Sequence, residues 1–369
     1  MKIGIMLRHY EQQEGGVKVY TKRVLPLLFS LGSQHQYVLI YQNPKLLGTY
    51  SSYANVEEVV VAVPGTVTWD QIGVPWVARR QKLDLLFNPK FTVPFISKAK
   101  TVFVLHGSEW FVIPEHFLLY DQWYFKRFVP LYCRSATAFI AVSNAVKADV
   151  VKYVGVPPEK VFAIHNGFDP DVFRPVRDPE RLRAARERYK LPEKFILWAG
   201  QIESRKNVAR LLQAFARIKD AVPHSLVMAG AQRWSSSTEL GAIHELGIAE
   251  RVIFPGWVTH GDLPAVYCLA DLFAFPSLYE GFGIPLLEAM ACGCPIVTAN
   301  TCAPPEVTAG CAYLVDPLNV EAIALGMQKV IADHTLRADM IGKGIQRARD
   351  FGWEKCASEV LALFETLNT

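Results

Sequence analysis

Two acids interrupt the stretch SLYEGFGIPLLEAMACGCPIV (277–297), which is otherwise mostly small and apolar: Glu280 and Glu288, with seven residues between them. Gly281 and Gly283 would let backbone amides approach a ligand closely. Pro285 suits the first position of a helix and Gly293 its stop. The helix PLLEAMAC is apolar nearly all round and should be buried, so an acid inside it is costly unless paired. Carboxylates accept hydrogen bonds and repel phosphate, and their natural targets are the hydroxyls of a ribose or a hexose. The plainer alternative makes Glu288 a partner of the helix dipole and Glu280 a surface charge. A glycosidase also sets two carboxylates roughly 5–10 Å apart, but it has no use for a phosphate site.

Such a site is suggested by FILWAGQIESRKNVARLLQAF (195–215). A strand ends near Gly200 and Asn207 is a good N-cap, so Arg205 and Lys206 lie beside the positive end of a helix dipole. Two cations there either extend into water or meet an anion, and a phosphate reverses the sign of the cost. Acids for hydroxyls and bases for phosphates together describe a nucleotide sugar. A third loop, RHYEQQEGGVKVYTKRVL (8–25), opens a helix with Gly15-Gly16, a weak signal for an amide-lined wall. No G-x-G-x-x-G follows a strand and there is no P-loop, which argues against dinucleotide redox chemistry and nucleotide hydrolysis.

These loops need elements to hold them. Strand runs fall at 2–7, 37–41, 83–87, 101–105, 138–143 and 160–165, and again at 195–200, 225–230, 251–256, 271–276, 295–299 and 312–316. Helical patterns lie between, with Val208, Leu211, Leu212, Phe215 and Ile218 on one apolar face. The expectation is an α/β protein of two doubly wound parallel sheets, joined near the Pro-rich, charged segment 169–184, with ligands at the carboxyl ends of the strands. The chain's 369 residues, 51% hydrophobic and 20% charged, suit two globular domains. No apolar run approaches the roughly 18–20 residues that span a bilayer, and the N-terminus reads as a first strand rather than a secretory signal. Seven scattered cysteines fit a reduced, cytoplasmic chain better than a disulfide framework. Residues 1–169 carry 18 Lys and Arg against 12 Asp and Glu, while the remainder carries 21 against 23. The basic half suggests an anionic partner, a membrane surface or a phosphate-bearing substrate, or else an uneven solvated surface.

In order along the chain, EGGV (14–17), His106 at a strand end, AVSNAVKADV (141–150), IHNGFD (164–169), GQIESRKN (200–207), FPGWV (254–258), the Glu-x7-Glu segment, PPEV (304–307) and FGWEK (351–355) resemble glycosyltransferase family 4. These are retaining enzymes of the GT-B fold, and the branch most similar contains O-antigen mannosyltransferases. The resemblance implies an N-terminal Rossmann-like acceptor domain (1–172), a linker (173–194), a nucleotide-sugar-binding Rossmann-like domain (195–350) facing the first across a cleft, and a last helix (351–369) packing back on the first domain. It implies that Glu280 contacts donor-sugar hydroxyls, that the amides of Gly281, Phe282, Gly283 and Ile284 hold sugar and diphosphate, and that Glu288 binds ribose. Arg205 and Lys206 would stabilise the leaving diphosphate, His106 would approach the transferred sugar, and Gly16 would line the diphosphate side.

Gln201 stands where many members carry an Arg, Ser204 replaces a common Pro, and Gly107 follows His106 where this branch often has Asp. The activity implied is metal-independent transfer of a hexose, best matched by mannose from GDP-mannose, to a glycan or lipid-linked acceptor hydroxyl. The alternatives are a UDP-sugar donor or a catalytically silent binding subunit. The nucleotide sugar is a substrate, and no cofactor, metal or nucleic acid is expected. Asp169-Pro170-Asp171 reads as structural, and Cys292-x-Cys294 lacks zinc spacing. The aromatic-basic stretch 110–134 could form an acceptor wall or dock on the inner face of a membrane, although a buried helix accounts for most of its aromatics.

Overall fold

The computed structural model describes residues 1–8, 10, 15–230 and 237–368, without the side chains of 237–240. They fall into two compact units, Met1–Gly167 with Trp353–Thr369, and Phe168–Gly352. Among the described residues the first unit holds a seven-stranded sheet: β1 (Lys2–Met6), β2 (Gln36–Tyr41), β3 (Val56–Val60), β4 (Leu85–Asn88), β5 (Lys100–Leu105), β6 (Ala138–Ala141) and β7 (Val161–Ala163). Their order is β3-β2-β1-β4-β5-β6-β7. The second holds β8 (Phe195–Ala199), β9 (Ser225–Ala229), β10 (Val252–Ile253), β11 (Leu272–Phe275), β12 (Ile296–Ala299) and β13 (Tyr313–Val315) in the order β10-β9-β8-β11-β12-β13.

Every pairing is parallel; Ile3, for example, sits opposite Tyr37 on one side and Leu85 on the other. Parallel strands covered on both faces are apolar almost continuously, and the buried runs of β2, β5 and β8 show it. Strand β3 escapes that rule. Its sequence VEEVV carries Glu57 and Glu58, which an edge strand tolerates: Glu57 reaches Lys2 at 3.4 Å and Glu58 accepts from Tyr41 at 3.2 Å.

In each sheet the order reverses at one place, between β1 and β4 in the first unit and between β8 and β11 in the second. The loops that leave the carboxyl ends of these neighbours diverge to opposite sides and open a crevice. At the second switch point, α4 (Val208–Ile218) follows β8 and buries Val208, Leu211, Leu212, Phe215 and Ile218, the face foreseen from its spacing. At the first, β1 leads toward α1 (Gly16–Leu31).

Residues 173–194, read from sequence as a linker, lie inside the second unit. There α3 (Pro179–Arg188) starts on Asp178, whose side chain accepts the Glu180 amide, and the following Tyr189 hydroxyl donates to Asp262 at 2.7 Å. A linker reading followed from charge and proline content, which also suit a capped surface helix. The last helix, α7 (Trp353–Asn368), belongs to the first unit, with Phe364 edge-on to Phe87 at 5.1 Å and Trp353 to Tyr20 at 6.0 Å. α2 (Leu119–Ser135) buries Val129, Tyr132 and Cys133 and half-buries Tyr124, Phe125 and Phe128, so most aromatics of 110–134 are covered as a buried helix requires, while Leu118, Leu119, Tyr120 and Trp123 are exposed at its start. No described helix is long and apolar enough to cross a membrane.

Candidate active site

The loop after β8 turns through Ser204–Lys206 into α4, and the loop after β11 turns through Gly281–Gly283 into α6 (Ile284–Cys292). Gly283 is the N-cap of α6 at φ 93°, a left-handed conformation, and a Cβ there would meet the Leu286 side chain at 2.9 Å. Helix α6 begins one residue before Pro285, which becomes its second residue, and Gly293 closes it at φ 74°. The two loops are stitched together by the Leu278 amide donating to the Arg205 carbonyl at 2.8 Å.

Asn207 occupies the N-cap position of α4, yet its side chain does not cap. It donates instead to the carbonyls of Pro276 and Pro317, at 2.9 and 2.6 Å, and its φ of 58° is left-handed. Its amide is used to clamp the β11 loop against the β8 loop, a tertiary demand that overrides local capping.

Neither Arg205 nor Lys206 extends freely into water. The buried Lys206 ammonium donates to Glu280 Oε1 at 2.6 Å, and Arg205 Nη1 lies 3.5 Å from Glu280 Oε2. Arg205 Nε also meets Glu203 at 2.8 Å. The anion that the two cations require is therefore supplied in part by the protein, and the phosphate argument from dipole cost alone is weaker than the sequence suggested. Burial opposes the Glu280 charge, but Lys206 and then Arg205 outweigh it and hold the carboxyl below its usual range. Burial lowers the Lys206 pKa, and Glu280 opposes that. Lys206, Arg205 and Ser277 lie against the Glu280 carboxylate, whose two oxygens keep further acceptor capacity for hydroxyls.

Glu288 stands apart from that pair. It lies in the second turn of α6 and is partly buried, with the Tyr267 hydroxyl donating to Oε2 at 3.3 Å. Burial pushes its carboxyl up to about 7, against the pull of Tyr267. Tyr267 comes from α5 (Leu263–Leu269) and was not foreseen, since nothing in its spacing relates it to Glu288.

The other two candidate residues belong to the first unit. His106 follows β5, and its Nε2 bonds to the Pro89 carbonyl at 2.8 Å; a carbonyl only accepts, so Nε2 carries the proton and Nδ1 keeps the lone pair. Burial lowers its pKa to about 4, which keeps the ring neutral at pH 7. Gly16 opens α1, beside Gly15 at φ 93°; no side chain caps this helix and its first turn holds no acid. The side chain of Asp169 accepts the Asp171 amide at 3.2 Å, a turn of ordinary kind.

Comparison with known proteins gives this geometry a family. The sequence profile described as Glycosyl transferases group 1 matches residues 182–347, and that described as Glycosyltransferase Family 4 matches 15–172. The chain belongs to the family 4 glycosyltransferases. It is 28% identical over 297 residues to the O-antigen chain mannosyltransferase B of Escherichia coli, covering 79% of this chain and 77% of that one. It is 28% identical over 229 residues to the serotype-specific mannosyltransferase WbdA of the same organism, covering 60% of this chain and 28% of WbdA. The crystal structure of Anabaena HepE in complex with UDP and glucose superposes with a TM-score of 0.78 at 20% identity, over 99% of this chain and 100% of that one. The fold of this glycosyltransferase is GT-B.

Around the first-unit switch point of this glycosyltransferase lie residues that no sequence motif marks. Arg8 Nε sits 3.8 Å from Asp70 Oδ1, both side chains almost fully buried, and the Arg8 guanidinium lies over Trp69 at 5.9 Å. Burial raises Asp70 to about 6, with Arg8 opposing. Arg8 and the Trp69-Asp70 pair come from separate segments, so only the folded chain assembles the cluster.

Proposed function

We propose that this glycosyltransferase transfers a hexose, mannose from GDP-mannose, to a glycan or lipid-linked acceptor hydroxyl with retention at the anomeric carbon and without a metal. The buried Lys206–Glu280 pair, flanked by Arg205 at the mouth of α6, carries the reading. Breaking the glycosyl phosphate bond builds negative charge on the leaving diphosphate. A fixed ammonium and guanidinium beside the α6 N-terminus stabilise that charge with little reorganisation. Glu280, ionised and tied in place by both cations, accepts from hydroxyls of the donor sugar, while the amides of Gly281 to Ile284 face sugar and diphosphate. Glu288 accepts from the ribose hydroxyls. In the first unit, neutral His106 offers Nδ1 to the transferred sugar and Gly16 lines the diphosphate.

Mannose is favoured by the mannosyltransferase relatives. A UDP-hexose is the second reading, favoured by HepE, whose structure holds UDP and glucose. The acceptor side is read from α2, where exposed Leu119, Tyr120 and Trp123 stand beside exposed Lys126 and Arg127, a pattern suited to an anionic membrane surface.

A thermal-shift panel of GDP, UDP, ADP and their sugars tests the donor. A ligand at 100 times its dissociation constant adds about 2.7 kcal/mol of stability. The guanine series should give the largest shift, and nuclear magnetic resonance of the product should show the donor's anomeric configuration kept. A panel without any shift, or an inverted product, overturns the reading. Nucleotide affinity unchanged in Glu288→Ala removes the ribose assignment.

A further inference from the structure

Helices α5 and α6 meet along a seam that carries two side-chain contacts, and only one of them belongs to the donor site. Tyr267 on α5 holds Glu288 on α6. The next residue on α5, Cys268, faces Cys292, which lies four positions beyond Glu288 and so on the same side of α6. The Cys268 sulfur accepts the Val176 amide at 3.3 Å, and its S–H donates to the Cys292 carbonyl at 3.4 Å. Both cysteines are free thiols, and their side chains lie against each other across the seam.

The pair is asymmetric in a way that suits stepwise chemistry. Cys268 is half-buried, so a small molecule can reach its sulfur, whereas Cys292 is only 3% exposed. Cys292, the Val176 amide and Arg181 on α3 favour the Cys268 thiolate against burial and hold this thiol below the usual cysteine range. Cys268 and then burial hold the Cys292 thiol above it, so Cys268 ionises first. Cys294, the third cysteine nearby, is buried and turned to the carbonyls of Ala270 and Pro295, at 3.9 and 3.6 Å. An accessible thiolate beside a shielded thiol is the arrangement of an attacking and a resolving cysteine.

We propose that Cys268 and Cys292 form a reversible disulfide by exchange with low-molecular-weight disulfides, and that this bond lowers the affinity of the second unit for its nucleotide. The Cys268 thiolate attacks one sulfur of a small disulfide, R–S–S–R, which leaves R–S bound to Cys268 and releases one thiolate. That thiolate takes the Cys292 proton. Cys292 then attacks the Cys268 sulfur, forms the Cys268–Cys292 bond and expels the second R–S as a thiolate, which takes up the proton that Cys268 gave to solvent. Two protein thiols are oxidised, and the small disulfide is reduced to two thiols.

The effect on the nucleotide rests on the ribose assignment of Glu288 above; the disulfide itself does not. Bonded sulfurs sit about 2.05 Å apart, closer than any non-bonded contact, so α5 and the end of α6 must draw together. Tyr267 and Glu288, one helical turn away and 3.3 Å apart, then close on each other. The carboxylate is held by the tyrosine hydroxyl and loses its freedom to accept from a ribose.

The experiment treats the full chain with oxidised glutathione and maps its disulfides by peptide mass under non-reducing conditions. A Cys268–Cys292 cross-link that dithiothreitol reverses is expected, and Cys294→Ala should leave it in place. Cys292→Ala should instead accumulate glutathione on Cys268. No cross-link in the unsubstituted chain, or one through Cys294, overturns the proposal, and that result needs no variant to fold. Calorimetry with the nucleotide that gives the largest thermal shift should show an affinity about fivefold or more lower in the cross-linked chain than in the reduced one. Dithiothreitol should restore it, and Cys268→Ala should keep its affinity in the presence of the oxidant. Equal affinity in both redox states overturns the effect on the nucleotide. A reduced chain that binds no nucleotide marks failure of the transferase reading, and the affinity effect falls with it, while the cross-link map still decides the disulfide.

Discussion

At the β8–β11 switch point Arg205 and Lys206 meet Glu203 and Glu280, whereas at the β1–β4 switch point Arg8 and Lys90 face Asp70 as the one carboxylate of that cluster among the described residues. The two units use the same crevice of the same kind of sheet with a different charge balance. In the second unit the charges satisfy one another, so the side chains are held in place before any ligand arrives. In the first unit the buried Arg8–Asp70 pair is looser, at 3.8 Å, and burial raises the Asp70 carboxyl to about 6 despite Arg8. A short pair flanked by a second cation keeps its carboxylate ionised, whereas a longer buried pair lets desolvation win.

That contrast breaks most readily at Glu280. Glu280→Ala leaves the buried Lys206 without its closest partner, and breaking a buried pair on one side costs about 3–5 kcal/mol. Urea unfolding should show this loss, and the double variant Lys206→Met, Glu280→Leu should recover most of it while donor turnover stays abolished. A double variant as unstable as the single one would mean that the pair does not organise the loop.

The acid one turn deeper sharpens the comparison through pH. Glu288 titrates at about 7 in the folded chain, so between its usual range and that value the folded state retains a proton that the unfolded state releases. Its contribution to the stability of the free chain is present at low pH and is lost as pH rises through about 7. A ribose that needs the ionised carboxylate shows the opposite trend: nucleotide affinity should rise by up to about tenfold per pH unit below the pKa and level off above it. Isothermal titration at pH 5 to 8 checks this, and Glu288→Gln should flatten the profile.

Lys90 should respond with the opposite sign to Lys206. Lys90→Met removes a half-buried cation whose charged form burial and Arg8 disfavour, and should stabilise the ligand-free chain at pH 7 by about 1–2 kcal/mol, after discounting for partial exposure. Because its folded pKa, about 8, lies below the usual lysine value, the penalty is felt below about 8 and is relieved as pH rises toward the usual lysine value. The stabilisation by Lys90→Met should accordingly shrink by pH 10 in thermal melts. A destabilised Lys90→Met at pH 7 would mean that burial of this ammonium is compensated in the folded chain. The smallest effect on stability belongs to the start of α2, where Leu119→Glu with Trp123→Glu should stay within about 0.5 kcal/mol per site, as exposed positions do. Cosedimentation with anionic vesicles should nevertheless fall in that variant, and unchanged sedimentation would remove the membrane reading.

Sequence alone determined what local chemistry and periodicity can encode. The β-branched apolar runs specify parallel strands because both faces are covered, Gly283 and Gly293 bracket α6 because each takes a left-handed conformation, and the α4 face follows from its 3.6-residue spacing. The Glu280, Lys206 and Arg205 candidates were legible because each sits in a short segment with its own pattern, at the end of a strand. Tertiary structure decided the rest. It paired Glu280 with Lys206 across 74 residues of chain, took Asn207 from its cap to clamp two loops, and set Tyr267 on Glu288. It also made an edge strand of VEEVV, whose two glutamates look wrong for a sheet until their hydrogen bonds at the rim are seen. Arg8, Asp70 and Lys90 carry no motif, because a charged cluster is a property of distances between segments rather than of any one of them.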